Sequence, residues 1–332
     1  MPPIPSSFIM KYIEINENTD RQLSFYLALE EFVARHMTQE SECFFMWQVT
    51  PSVIFGRNQL IENEVNVNFC KMHGIKMYRR KSGGGCVYAD MNNIMFSYIT
   101  TAEFVGFTFY KYINRIVLAL RKLGVDAKPS IRNDILINGR KVSGNAFYHL
   151  PKRCVVHGTL LYDTNMVFMT KAITPDSEKL QTKGVESVRQ HITLLKDYVD
   201  CDIEQLKDFF RKELCDSSYH INNDDLKIIT EIEREYLSDD FIYGNNPKFT
   251  KTFRKRFDRV GNIEAKCEIK NNTLKNLNLM GDFFMLRDIS ELIERMKGVK
   301  LNPEELNKAL PDNISDYILN LSKNDFISLF LQ

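Results

Sequence analysis

The 332-residue chain has almost no net charge: 44 Lys and Arg stand against 43 Asp and Glu, leaving +1 at neutral pH. No global field therefore recruits nucleic acid or an anionic membrane, and an anion site has to be built locally. Paired cysteines are also missing. The seven present (Cys43, Cys70, Cys86, Cys154, Cys201, Cys215 and Cys267) are odd in number, scattered, and form no CxxC. Neither a disulfide framework nor a zinc motif is expected, and reduced thiols in a cytoplasmic protein are. No apolar run approaches a membrane span, and the opening MPPIPSSFIMKYIEINENTD lacks a basic stretch followed by a long apolar core. Internal repeats and low-complexity segments are absent too. The length allows a sizeable core, enough for one large domain and a small one.

Two common phosphate-binding motifs are lacking as well. The triple glycine of RRKSGGGCVYAD (79–90) has no Lys-Ser/Thr after it, so it is not a Walker A loop. It leads into an apolar run that reads as a strand, so it is not a dinucleotide fingerprint, which opens a helix. What remains is bare backbone behind a basic flank. Gly83, Gly84 and Gly85 can bring successive N–H groups close to an anion, with Arg80 supplying charge; the plain alternative is a tight turn.

The rest of the chain alternates α and β patterns. Residues 20–37 place Phe25, Leu29, Phe32 and Val33 on one helical face behind a candidate Asp20 cap. Runs at 44–49, 52–56, 75–80, 86–90 and 94–100 are rich in β-branched and aromatic residues and read as strands of one sheet. Tyr110, Ile113, Val117 and Leu120 recur at helical spacing up to a stop at Gly124. In DILINGRKVSGNAF, Asn138-Gly139 predicts a two-residue hairpin turn between two strands. A strand over 153–163 follows, then charged helices, then a break in YGNNPKF (243–249) across which few contacts are expected. Beyond it, NIEAKCEI and KNLNLMGDFF read as strands, accompanied by two or more helices.

Several residues are candidates for chemistry. Strand alternation predicts Lys141, Ser143 and Asn145 on one face, with Val142, Gly144 and Ala146 on the other. Lys141 then either neutralises a carboxylate or phosphate or is an exposed hairpin lysine. Asn133 and Asp134 hold Mg²⁺, orient Lys141, or cap a turn. His157 is a base or a hydrogen-bonded core histidine, and Cys154, three residues earlier, a thiolate nucleophile or an inert buried thiol. Lys179, Lys183 and Arg189 are phosphate ligands or part of a solvated charged segment.

Five stretches taken in order resemble the lipoate-protein ligase A family: FGRNQ (55–59), GIKMYRRKSGGGCVYADMNNIMFSYI (74–99), RNDILINGRKVSGNAF (132–147), HGTLLYD (157–163) and KLQTKGVESVRQHIT (179–193). The resemblance runs from about residue 10 to the carboxyl terminus, more loosely beyond Phe249. It implies an α+β fold: a catalytic domain of the biotin-ligase and class II synthetase type over 1–245, a mixed sheet with packed helices, and a small α+β accessory domain over 246–332. It implies ATP-dependent activation of lipoate to lipoyl-AMP, with Mg²⁺ as a further expectation, then transfer to a lysine of lipoyl carrier domains. Such carriers are the 2-oxoacid dehydrogenase E2 subunits and the glycine cleavage H protein. Arg80 and the run Gly85, Cys86, Val87 and Tyr88 are implied nucleotide contacts, with Ser82, Gly83 and Gly84 in the same loop. Lys141 is implied to touch both the lipoate carboxyl and the α-phosphate. Asn133, Asp134 (also the candidate Mg²⁺ ligand), Ser143 and His157 match family positions, and Arg57, Lys179 and Lys183 are further candidates. One departure keeps an alternative in play: in related octanoyl-transferases, which use no ATP, a nucleophilic cysteine lies three residues before the matching His-Gly, where Cys154 lies here. A non-catalytic module binding lipoate or a carrier is the third reading. Lipoate versus octanoate preference is left open by the sequence.

Overall fold

A computed structural model describes residues 10–15, 21–59, 61–102, 105–131, 133–173, 191–243 and 250–331. Its centre is a mixed eight-stranded sheet in the order β11-β1-β2-β6-β10-β9-β8-β7. The strands are β1 (Met10–Glu14), β2 (Glu42–Trp47), β6 (Asn93–Thr101), β7 (Ala127–Pro129), β8 (Asp134–Ile137), β9 (Arg140–Leu150), β10 (Arg153–Leu161) and β11 (Ser217–His220). β1 runs parallel to β2 and β11, and the β2-β6-β10-β9-β8-β7 run is antiparallel throughout.

Both faces of this sheet are covered, which is why β2 reads as continuous apolar sequence instead of alternating. Cys43, Phe45 and Trp47 join the helices Leu23–His36 and Asn223–Leu237 in one core. Phe44 and Met46 point the other way, into a core with the helices Val105–Lys122 and Ile203–Leu214. Burying each large apolar side chain contributes about 1.5–3 kcal/mol. The helix expected over 20–37 is Leu23–His36, capped by Gln22 without a side-chain hydrogen bond, and Asp20 lies outside the described residues.

The five early strands do not share one sheet. β3 (Ser52–Phe55) is the middle of a separate three-stranded sheet, parallel to β4 (Lys76–Arg79) and antiparallel to β5 (Val87–Ala89). A periodicity of two fixes which side a residue faces but says nothing about which strand lies alongside, so β3, β4 and β5 were separable from β2 and β6 only by tertiary pairing. The hairpin at Asn138-Gly139 is present: φ is 51° and 75° at the two residues, the left-handed pair that a tight two-residue turn requires.

Residues 250–331 carry their own core. β12 (Lys251–Phe257), β13 (Gly261–Lys270) and β14 (Thr273–Gly281) form an antiparallel meander covered by the helices Ser290–Met296, Pro303–Ala309 and Lys323–Phe330. β12 had no counterpart among the expected strands, because KTFRKRF alternates with charge instead of forming an apolar run. The few contacts expected across residues 243–249 are in fact several. Gly281 N–H donates to the Asn58 carbonyl (2.8 Å), and Phe284 stacks on Phe147 with ring centroids 5.8 Å apart. The 244–249 segment itself lies outside the described residues.

Candidate active site

β4 and β5 both pair with β3, so the chain between them must arch over the end of that strand. This crossing is the glycine loop. Its glycines answer to space as much as to dihedral angles: a Cβ on Gly56 would sit 2.3 Å from the Gly84 carbonyl oxygen, and one on Gly83 2.3 Å from the Phe283 carbonyl oxygen. Only Gly84 of the three has positive φ, 86°. Arg57 N–H donates to the Ser82 carbonyl (2.9 Å) and Arg80 N–H to Phe55 (3.1 Å), which lock the arch to the FGRNQ turn.

Two buried arginines hold this crossing from inside. Arg79 donates to the carbonyls of Gly56, Arg57, Gln59 and Ile242. The Arg80 guanidinium donates to the carbonyls of Ile54, Gly83 (2.7 Å) and Gly85 (2.7 Å) and to Ser82 Oγ (2.8 Å). Arg80 is thus the internal brace of the glycine loop as well as a wall of the adjoining cavity. Burial pulls its pKa down to about 10, with the charge of Glu30 among the opposing influences.

That cavity has a volume of about 620 Å³. Its apolar end is made by Leu27, Trp47, Ile54 and Met95, all of the core against helix Leu23–His36. Its polar walls are Gly84, Gly85, Cys86 and Val87 from the loop, Asn133, Asp134, Lys141 and Asn145 from the β8-β9 hairpin, and His157 from β10. Arg256 to Gly261, Asp282, Phe284 and Asn320 close the remaining side.

Lys141 reaches the cavity by a route that simple alternation misses. A β-bulge opposite Ile135 and Leu136 leaves Val142 unpaired: Lys141 pairs with Leu136 and Ser143 with Ile135. The expected common face of Lys141, Ser143 and Asn145 is therefore not formed. Lys141 lies over Gly144 instead, its ε-carbon and ammonium 2.7 Å from where a Cβ there would sit, and its Nζ is 2.8 Å from Asp134 Oδ1. Ser143 is buried, 3.5 Å from Asn145 Oδ1, and does not line the cavity. Asn133, with φ of 62°, accepts at its carbonyl from Asn145 Nδ2 (2.8 Å).

The structure also places the remaining sequence candidates. Ser82 and Gly83 lie behind the loop, Tyr88 is in the core of the small sheet, and the Arg57 side chain is exposed outside the cavity. Lys179 and Lys183 fall outside the described residues. Burial raises the Cys86 thiol's pKa. Cys154 faces the opposite core from His157, on the same side of β10 as Val156, and burial pushes its thiol up to about 12. It neither lines the cavity nor contacts His157, so a Cys154–His157 acyl-transfer pair is excluded by geometry.

Three residues hydrogen-bonded beside the cavity, Glu30, Ser97 and Trp47, had no counterpart among the sequence candidates. Glu30, fully buried, accepts from His157 Nδ1 (2.9 Å) and from Ser97 Oγ (2.5 Å); Ser97 Oγ in turn accepts from Trp47 Nε1 (2.9 Å). His157 Nε2 is 2.6 Å from Ser82 Oγ. The available signal was the spacing Leu27, Glu30, Ala34, which sets a carboxylate on a buried helical stripe, where it needs a partner.

The cavity thus brings a glycine loop braced by arginine and a lysine–aspartate pair together with apolar residues against a large two-sided mixed sheet. Residues 22–215 match the family described as lipoyl protein ligase A/B catalytic domain, and residues 246–330 the one described as bacterial lipoate protein ligase C-terminus. The chain belongs to the lipoate-protein ligase family. It is 31% identical over 332 residues to lipoate-protein ligase LplJ of Bacillus subtilis (strain 168), covering 96% of this chain and 99% of that one. Lipoate–protein ligase 1 of Staphylococcus aureus (strain Mu50) is likewise 31% identical, over 96% and 99% of the two chains. Among solved structures, P. falciparum LipL1 in complex with lipoate superposes with a TM-score of 0.75 at 22% identity, covering 96% and 97%. Lipoate-protein ligase A bound with ATP gives 0.60 at 21%, over 71% and 98%. The α+β expectation holds, and the ligase reading stands over the cysteine-dependent transferase.

Proposed function

We propose that this chain joins lipoate to a lysine of a lipoyl carrier domain in two steps driven by ATP. In the first, a lipoate carboxylate oxygen attacks the α-phosphorus of ATP and the bond to the bridging oxygen breaks, giving lipoyl-AMP and pyrophosphate. In the second, a neutral carrier lysine attacks the carbonyl carbon, AMP leaves, and the lysine nitrogen gives up a proton as the amide forms. Activation is needed because a free carboxylate is a poor electrophile, and the adenylate must be held away from water.

The observation that carries the reading is that Lys141 lines the same cavity as the glycine loop and the apolar residues, with Asp134 2.8 Å from its ammonium. Negative charge develops on the α-phosphate in the first step and on the carbonyl oxygen in the second, and both junctions would lie near this ammonium, an electrostatic stabiliser fixed in advance. Leu27, Trp47, Ile54 and Met95 would clothe the acyl chain and dithiolane. Gly84, Gly85, Cys86 and Val87 would approach the nucleotide with their backbone, and Asn133 and His157 would line the adenylate. Mg²⁺ would arrive with the phosphates and supply charge neutralisation. Among the described residues no cluster of three His, Cys, Asp or Glu could hold it, so the chain's share would be one oxygen of Asp134.

A structural neighbour, an archaeal bi-partite lipoate protein ligase studied with its E2 lipoyl domain, supports carriers of that class. Among the described residues no helix is long and apolar enough to cross a membrane, and the free thiols support a reducing compartment such as the cytoplasm. The test is pyrophosphate release dependent on lipoate, together with ATP-dependent mass gain of an apo carrier domain. Mass gain without ATP, from an acyl-carrier donor, would overturn the proposal.

A further inference from the structure

A buried wire of hydrogen bonds connects the apolar end of the cavity to the glycine loop. With a neutral His157 carrying its proton on Nδ1, the donors run in one direction. Trp47 Nε1–H donates to Ser97 Oγ (2.9 Å), Ser97 O–H to Glu30 Oε1 (2.5 Å), and His157 Nδ1–H to Glu30 Oε2 (2.9 Å). Ser82 O–H donates to His157 Nε2 (2.6 Å), and Ser82 Oγ accepts from Arg80 Nε (2.8 Å). Glu30 and Ser82 are fully buried, and Arg80 and His157 nearly so. The acceptors that Arg80 reaches directly are neutral oxygens, so its positive charge meets the negative charge of Glu30 through this wire. A buried charge without such compensation is expensive.

The adjacent residue repeats the arrangement on the loop's stem. Glu31 pairs with Lys81 (2.8 Å), so two successive carboxylates of one helical turn grip two successive residues, Lys81 and Ser82, at the start of the loop.

We infer that Glu30 is a positioning residue for nucleotide binding: through His157 and Ser82 it fixes the Arg80 guanidinium, and with it the carbonyls of Gly83 and Gly85 that aim the loop into the cavity. This inference rests on the ligase reading above for its kinetic consequence but not for its geometry. Ser82, His157 and Glu30 have the connectivity of a serine–histidine–carboxylate triad, yet Ser82 is buried behind the loop with Arg80 on its oxygen, so the same atoms serve as a brace and not as a nucleophile.

Glu30→Gln removes the charge and keeps the shape. The amide can accept from Ser97 only by turning its NH₂ toward His157 Nδ1, which forces the imidazole to the Nε2–H tautomer and reverses the hydrogen bond to Ser82. The experiment combines three readouts: pyrophosphate-release kinetics, ¹⁵N-detected tautomer state of His157 in the full chain, and a double-mutant cycle with Ser82→Ala. Expected are an increase of about tenfold in KM for ATP with KM for lipoate within about twofold, a wild-type Nδ1–H tautomer that flips in the variant, and no further rise when Ser82→Ala is added. An unchanged KM for ATP in a folded Glu30→Gln protein, additive effects in the cycle, or an Nε2–H tautomer in the wild type would each overturn the inference. If Glu30→Gln fails to fold, Ser82→Ala alone must still raise KM for ATP, and the wild-type tautomer must still be Nδ1–H. If the wild type releases no pyrophosphate, the ligase reading fails, while the tautomer and its reversal judge the wire independently.

Discussion

Gly144→Ala separates the position of Lys141 from the stability of the fold. A methyl at residue 144 would lie 2.7 Å from both the Cε and the Nζ of Lys141, well inside van der Waals contact, whereas the next nearest atom, Asp134 Oδ1, is at a tolerable 3.7 Å. The atoms that must move are the far end of a flexible side chain. Gly144 is not among the residues with positive φ, so alanine fits the backbone. The Lys141 and Asp134 side chains are 40% and 20% exposed, and such a pair contributes only about 0.2–1 kcal/mol. Replacing glycine stiffens the unfolded chain and returns about 0.4–1 kcal/mol. The two nearly cancel, so thermal unfolding should hardly change. Displacing a preorganised donor from developing charge costs about 2.7–4 kcal/mol of barrier, about 10²–10³-fold in the adenylation rate. Lipoate-dependent pyrophosphate release should therefore fall by that factor in Gly144→Ala. Lys141→Ala should fall as far, and the double variant no further, since both remove one interaction. Near-normal turnover in a well-folded Gly144→Ala protein would refute the argument that Lys141 acts from where it lies.

Cys154→Ala should retain most ATP-dependent ligation at a stability cost of about 1 kcal/mol, and intact-mass spectra of the wild type under turnover should contain no thioester; an adduct on Cys154 would contradict this. Gly83→Ala must push a Cβ off the Phe283 carbonyl oxygen, 2.3 Å away, and should lose about 1–3 kcal/mol in denaturant unfolding. Gly85→Ala, with nothing within 4 Å of its Cβ, should unfold like the wild type, and equal losses at both positions would count against the packing argument. Trp47 is the sole tryptophan and lines the apolar end of the cavity, so lipoate should alter its fluorescence in a saturable titration; an unchanged spectrum at saturation would place the acyl chain elsewhere.

The parts of the site that were legible in the sequence are those set by local chemistry. Asn138-Gly139 demanded a left-handed pair of residues, and the turn is there. The glycine loop was identified by the lack of side chains, but its reason was not visible: Gly83 and Gly56 are glycine because Phe283 and Gly84 carbonyls come within 2.3 Å of their would-be Cβ atoms. Residue 283 approaching residue 83 is a tertiary fact that no spacing encodes. Glu30 illustrates the same limit. A carboxylate on a buried helical stripe announces that it has a partner, yet His157 lies 127 positions away, and only the packing of helix Leu23–His36 on β10 brings them to 2.9 Å. Lys141 lines the cavity, but by a different route from simple alternation, because one unpaired residue in the hairpin shifts the parity of the side chains beyond it.

Parity also decides what chemistry this chain can do with a carboxylic acid. Cys154 and His157 are three residues apart on β10, an odd separation, and a strand sends such residues to opposite faces. His157 faces the cavity and Glu30, whereas Cys154 faces, with Val156, the core shared with helix Val105–Lys122. For Cys154 to take an acyl group, the strand would have to slip by one residue. That slip would carry His157 into the apolar core behind the sheet, breaking the His157–Glu30 and His157–Ser82 hydrogen bonds together. The register is thus held by the cavity's own polar wall. With Cys154 confined behind the sheet, and burial raising the pKa of Cys86, the thiol that does line the cavity, neither cysteine is a ready acyl carrier, which favours an acid activated by a leaving group from a second substrate.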